Sequence, residues 1–171
     1  MREVTTRDSI RRFMHALARA AREETAVLFV GGGTAVIEGW RDSTVDIDIV
    51  LRPERDELLR ALPAIKNELR VNVELSSPGD FIPLPPGCDD RAVFVAREGK
   101  LSFFHFDPYA QALAKLERGH AKDIIDVEAL IERRLVEREC LVELFEQIEP
   151  ELYRFPAVDP TAFRERVFRI P

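Results

Sequence analysis

Val30-Gly31-Gly32-Gly33-Thr34-Ala35-Val36-Ile37-Glu38-Gly39-Trp40-Arg41-Asp42-Ser43-Thr44-Val45-Asp46-Ile47-Asp48-Ile49 is the stretch that decides how this chain is read. Just before it, Ala26–Val30 is short, apolar and stopped by three glycines, which predicts a buried strand. Thr34–Glu38 then reads as a short helical turn closed by Gly39, and Ser43–Leu51 as a second strand. Its alternation puts Val45, Ile47 and Ile49 on one face and Asp46 and Asp48 on the other. Carboxylates at alternate strand positions leave the backbone roughly 6.5–7 Å apart on the same side, so both can bend toward one hard cation. Mg²⁺ suits such a pair, because it takes one or two carboxylates and fills its shell with water and phosphate oxygens; Mn²⁺ is the alternative. A metal held this way neutralises a triphosphate and stabilises the charge of an in-line displacement at phosphorus. The glycines supply the complement: a Gly-rich turn at a helix start exposes backbone N–H groups to an anion, and Thr34 adds a hydroxyl donor. An acidic pair or a glycine run alone is a weak signal. Gly32, Gly33 and Thr34 followed, after eleven residues, by Asp46 and Asp48 are a stronger one.

Outward from that stretch the pattern alternates helix and strand. Thr5 or Thr6 can cap a helix of roughly residues 7–22 with Ile10, Phe13, Met14, Leu17 and Ala21 on one face. Pro53 ends the acidic strand, Glu54–Leu69 reads as a helix interrupted or kinked near Pro63, and Val71–Leu75 as a third strand with Asn72 and Glu74 sharing a face. Residues 76–90 are rich in proline and glycine and predict a stiff loop; Arg91–Arg97 and Lys100–Phe106 predict a hairpin across Glu98-Gly99. Helical periodicity then runs over Pro108–Arg118 and, after Gly119, over Lys122–Ile148; residues after Pro150 read as a tail. The expected architecture is α+β, a mixed β-sheet with flanking helices and a helical C-terminal part. Its expected division is a core over 1–107, a helical subdomain over 108–150 packed on it, and an extended tail over 151–171.

Composition bounds the function. Hydrophobic residues at 46% and charged residues at 33% fit a soluble globular chain rather than a disordered one. No apolar stretch is long enough to span a bilayer and no secretory leader is visible in the first twenty residues, so no membrane partner is expected. Cys88 and Cys140 lack the spacing of a disulfide framework or zinc site, which points to a reducing cytoplasm. A net charge of −6 argues against a general nucleic-acid coat. The arginines at 7, 11, 12, 19 and 22, and those at 154, 164, 166 and 169, read as a solvated helix face and a solvated tail.

The later helices carry a second group. Gln111, Lys115 and Arg118 fall at i, i+4 and i+7 on one helix face, where a point charge and a planar fork suit triphosphate oxygens. Asp123 can cap the final helix; Asp126, one turn on, either orients Lys115 or Arg118 or faces solvent. His105, beside Asp107 at the end of the hairpin, reads as a hydrogen-bonded structural histidine; His15 falls on the first helix surface and His120 in a loop.

Gly32-Gly33-Thr34 followed by Asp46-Ile47-Asp48 resembles the nucleotidyltransferase superfamily of DNA polymerase β, and Lys115, Arg118, Lys122-Asp123 and Asp126 resemble the later motif of a small bacterial branch allied to the AbiEii-type toxins. The resemblance covers roughly residues 25–135. It implies a nucleoside triphosphate substrate and a third carboxylate on a later strand, as metal ligand or as base for the attacking hydroxyl. Glu74 is the nearest match, with Asn72 an unhelpful neighbour for a metal. On that reading Asp46, Asp48 and Glu74 hold metal and carry catalysis, Gly32, Gly33, Thr34, Lys115 and Arg118 bind substrate, and Ser43, Asp123 and Asp126 are secondary candidates. The implied reaction moves a nucleoside monophosphate to an acceptor hydroxyl on RNA (a tRNA end) or protein. One version of it is a toxin with a separately encoded antitoxin as partner. The alternative is a nucleotide-binding or regulatory module that kept the pocket and lost turnover.

Overall fold

Strand alternation and helix caps account for most of the architecture, an α+β fold. The computed structural model describes residues 3–171. The chain forms two compact units, one holding the chain up to Ser77 together with Val93–His105, the other Pro78–Ala92 with Phe106–Pro171.

In the first unit the order is β1 (Thr5–Thr6), α1 (Arg7–Ala20), β2 (Thr25–Val30), α2 (Gly32–Glu38), β3 (Ser43–Thr44), β4 (Asp46–Arg52), α3 (Asp56–Leu69), β5 (Asn72–Leu75), β6 (Val93–Glu98) and β7 (Leu101–His105). Five strands form a mixed sheet in the order β5-β4-β2-β7-β6. β2 lies at its centre, antiparallel to β4 and parallel to β7. Thr6 caps α1 by accepting from Ser9 N–H, and the helix buries Ile10, Phe13, Met14 and Leu17. With Leu58, Leu62 and Ile65 of α3 these residues belong to one core that includes Val27, Phe29, Ile47, Ile49 and Phe103 of the sheet. The Phe29 and Phe103 rings stack with centroids 5.9 Å apart. α3 runs through Pro63, which stands on the exposed side, so the expected interruption does not divide the helix.

The expected single strand Ser43–Leu51 is corrected. Ser43-Thr44 pairs with Thr5-Thr6 in a separate two-stranded sheet, and Val45 is 74% exposed rather than in line with Ile47 and Ile49. Thr44 Oγ1 donates to Asp46 O at 3.2 Å, a local bond that turns the chain between the two pieces.

The second unit holds short 3₁₀ turns at Pro78–Asp80 and Cys88–Arg91, then α4 (Pro108–Arg118), α5 (Ala121–Glu132), α6 (Arg138–Ile148), a 3₁₀ segment Glu149–Arg154 and α7 (Pro160–Arg169). Asp107 caps α4 by accepting from Tyr109 N–H, and Gly119, at φ +72°, ends it in the left-handed region. The expected helix Lys122–Ile148 is two helices. Arg134 takes φ 59°, and the N–H groups of Leu135 and Val136 both turn back to Leu130 O at 3.0 and 3.2 Å, which seats Val136 in the interior. No glycine or proline marks this break in the sequence. The loop 78–92, expected with the sheet, groups with the helices. Arg91 fixes it there by forking onto the Asp107 carboxylate and donating to Pro86 O.

The expected extended tail is also corrected. Asp159 accepts from Ala162 N–H at 3.1 Å, Pro160 opens α7, and Phe163 and Val167, one turn apart, are fully buried. Phe163 meets Phe145 edge-on at 4.8 Å between ring centroids. The tail arginines serve this packing: Arg164 pairs with Glu149, and Arg166 donates to the Leu116 and Glu117 carbonyls at the end of α4. Among the described residues no helix is long and apolar enough to cross a membrane.

Phe163→Ala should therefore destabilise the protein by about 3–5 kcal/mol in denaturant unfolding. A segment lying extended in solvent would show no loss.

Candidate functional site

The acidic face follows from how β4 is held. Ile47 and Ile49 are fully buried, so Asp46 and Asp48 must project from the other side of the strand, where they are half-buried. β5 runs parallel beside β4 with Asp46 level with Asn72 and Asp48 level with Glu74, which places all four polar side chains on one face. Asn72 Nδ2 donates both to Asp46 Oδ1 and, at 3.1 Å, to Glu74 Oε1. The amide expected to be an unhelpful neighbour thus ties two of the candidate acids together. On the opposite flank Asp48 pairs with Val30, the residue before the glycines.

The glycine turn borders this face. Gly31 has φ 64° and ψ −127°, a backbone region that side chains avoid, and a Cβ built on it would lie 3.5 Å from Asp48 Oδ2. At Gly32 a Cβ would collide with Thr44 Oγ1 and stand 2.8 Å from Thr44 Cβ, so the close approach of α2 to β3 requires glycine there. A Cβ at Gly33 would make only an ordinary contact with Phe29, at 3.5 Å. Ser43, half-buried in β3, pairs with Thr6.

Thr34 is turned inward. It is 2% exposed, and its hydroxyl stands 3.3 Å from Phe29 O and 3.0 Å from His105 Nδ1. The hydroxyl expected to meet phosphate is engaged inside the unit instead. The other nitrogen of His105, Nε2, lies 2.8 Å from Glu38 Oε1. His105 is 1% exposed, and its expected neighbour Asp107 is not the partner these bonds provide. Burial lowers the His105 pKa from its ordinary value, opposed by the Glu38 charge and hydrogen bond.

In the second unit the later motif forms a charge-balanced cluster. Lys115 Nζ is 2.7 Å from Asp126 Oδ2 and 4.0 Å from Asp123 Oδ1, while Arg118 grips both Asp123 oxygens at 2.8 and 2.5 Å. Both carboxylates are fully buried, so each demands a cation beside it. Asp126 is therefore the carboxylate that orients Lys115. Asp123 accepts from His120 N–H at 3.2 Å, so it closes the start of α5 as well. Gln111 is buried and donates to Phe106 O at 2.9 Å.

The donor set suits a magnesium-type ion better than a protein-caged one. Among the described residues no three His, Cys, Asp or Glu side chains gather as a cation cage, and the two cysteines are free thiols. Asp46 and Asp48, two hard oxygen donors on one strand face beside Glu74, match a cation that keeps water and phosphate in its shell. Sequence reasoning set Asn72 aside as an unhelpful neighbour and missed the role of Glu38. Asn72 matters through strand register and Glu38 through a contact across 67 residues, neither of which local pattern carries.

Residues 9–157 match the model of a family described as a nucleotidyltransferase of unknown function (DUF6036). No curated protein and no solved structure matches the chain.

Two outcomes follow from this geometry. Gly32→Ala should cost about 1–3 kcal/mol as Thr44 is displaced, whereas Gly33→Ala should be neutral or stabilising by about 0.5–1 kcal/mol, both read by thermal unfolding. Burial pushes the Asp123 carboxyl up, but the Arg118 fork, the Lys115 charge and the His120 N–H more than offset it and hold the group below its ordinary 3.8. A depressed carboxyl contributes stability that is full above the unfolded value and is lost as pH falls through the folded one. The stability gap between the protein and Asp123→Asn should thus be flat from about pH 7 to about pH 5 and shrink in stronger acid. A gap that widened on acidification would contradict the pairing.

Proposed function

The chain belongs to this family of nucleotidyltransferases, and we propose that it moves a nucleoside monophosphate from a nucleoside triphosphate to an acceptor hydroxyl. The observation that carries this reading is the contact between the two halves of the sequence motif. The Asp48 carboxylate lies against the Gly31 turn, on the strand face it shares with Asp46.

Asp46 and Asp48 are the residues proposed to hold Mg²⁺ or Mn²⁺, with Glu74 beside Asp48 as third ligand or as base for the attacking hydroxyl. The ion supplies charge neutralisation at the triphosphate and at the leaving oxygen. The chain's own contribution is placement. Burial of Ile47 and Ile49 fixes which way the acids point, and Asn72 restrains Asp46 and Glu74 through one amide. Glu74 is exposed, which leaves its carboxylate accessible to an incoming hydroxyl. The Gly31–Gly33 turn is the proposed phosphate neighbour, through backbone rather than through the Thr34 hydroxyl. Lys115 and Arg118 are the phosphate-contacting cations proposed from the second unit, each oriented by its aspartate.

We place the reaction in a reducing cytoplasm with an RNA end, a tRNA foremost, or a protein hydroxyl as acceptor. The specific version we favour is the toxin of a toxin–antitoxin pair, whose partner is a separately encoded antitoxin. What supports it is the Lys115, Arg118, Asp123 and Asp126 pattern.

Incubation with labelled nucleoside triphosphates, Mg²⁺ and total RNA or protein should label an acceptor. Asp46→Asn and Asp48→Asn should each lower the rate by at least about a thousandfold with unfolding midpoints preserved. Equal labelling by both variants would exclude the acidic pair from the chemistry. Metal-dependent nucleotide binding without transfer by the unmodified protein would instead assign the regulatory-module reading.

A further inference from the structure

His105 sits where the turn and the sheet meet. It is the last residue of β7 and lies level with Phe29, two residues before Gly31. One ring nitrogen reaches Thr34, in the first turn of α2, and the other reaches Glu38, its last residue. A single buried side chain thereby spans the seven-residue helix from end to end and fastens it to the central sheet. α2 also packs through Ala35 and Val36, both buried, with Val36 in the core of the unit. The helix is too short to be stable alone, and Gly31, which sets its entry, has no side chain to pack.

The hydrogens can be assigned. A carboxylate only accepts, so Nε2–H donates to Glu38 Oε1. On a neutral ring Nδ1 accepts from the Thr34 hydroxyl at 3.0 Å, a hydroxyl that otherwise donates to Phe29 O at 3.3 Å. The depressed basicity of the buried ring agrees with the neutral form.

We propose that His105 is a positioning residue, whose Thr34 bond sets the placement of the Gly31–Gly33 turn against Asp48 and whose Glu38 bond fixes the ring that makes it. This rests on the nucleotidyltransferase reading, in which that turn borders the bound triphosphate. His105 itself touches neither substrate nor metal. Its loss acts on nucleotide binding, which the turn provides, more than on turnover, which Asp46 and Asp48 provide.

Two near-isosteric substitutions separate the bonds. In His105→Asn the amide occupies the place of Nδ1 and can keep the Thr34 bond; in His105→Gln it extends to the place of Nε2 and can keep the Glu38 bond. Binding of a non-hydrolysable nucleoside triphosphate with Mg²⁺, measured by calorimetry, should weaken about tenfold in His105→Gln and much less in His105→Asn. In transfer assays the loss should appear in KM, with kcat within about threefold. Nitrogen NMR of the unmodified protein should show an unprotonated Nδ1 and an exchange-protected Nε2–H without any nucleotide present. Glu38→Ala, which removes the acceptor at a partly exposed position, replaces the histidine variants if they do not fold, and should release that proton to exchange while weakening nucleotide binding by less than about tenfold. Equal nucleotide affinity in all variants would overturn the positioning role alone. Failure of the unmodified protein to bind nucleotide would overturn the nucleotidyltransferase reading and this role with it.

Discussion

The pairing of β4 between β2 and β5 is the constraint on which the rest of the first unit depends. A strand with a dry side and a wet side has no freedom over which residues go where. Once Ile47 and Ile49 are buried under α1 and α3, Asp46 and Asp48 are committed to the opposite face. β2 then ends in glycines level with the acids, so the turn cannot form anywhere but beside Asp48. β5 adds Asn72 and Glu74 in register on the other side. The site is a by-product of strand order and phase, with a hydrophobic core as its scaffold.

The second unit is held by different means. Its helices are short, and several boundaries are set by single residues: Asp107, Asp123 and Asp159 at helix starts, Gly119 and Arg134 where the chain reverses. Two of those aspartates are also ion-paired, Asp107 with Arg91 and Asp123 with Arg118. Buried charges add little net stability when paired but are costly when orphaned, so such pairs act as registers that disfavour alternative packings. Lys115 and Asp126 extend the same logic deeper into the helices.

The parts of this structure that sequence made legible are those governed by local periodicity. The first helix, the glycine stop, the acidic alternation from Asp46 onward and the hairpin at Gly99 are all period and punctuation. What stayed hidden was decided at a distance. Val45 continues the alternation on paper, yet Thr5-Thr6 captures Ser43-Thr44 and breaks the strand before it. Arg134 adopts a left-handed conformation with no glycine to announce it. The tail did carry a signal, Asp159-Pro160 followed by Phe163 and Val167 at helical spacing, but the prolines at 156, 160 and 171 outweighed it. At the site, the acids and glycines were visible as types in a pattern, whereas Thr34, His105 and Glu38 form one unit only because β7 lies next to β2.

The backbone passes from one unit to the other three times, near residues 77, 92 and 105. Neither unit is therefore a continuous piece of chain, and no single cut releases one of them intact. Shortening the gene at the apparent seam would strip Pro78–Ala92 of its Asp107 anchor as well as deleting helices. The interleaving means that no single deletion separates the acidic strand from the cationic helices and leaves both units whole.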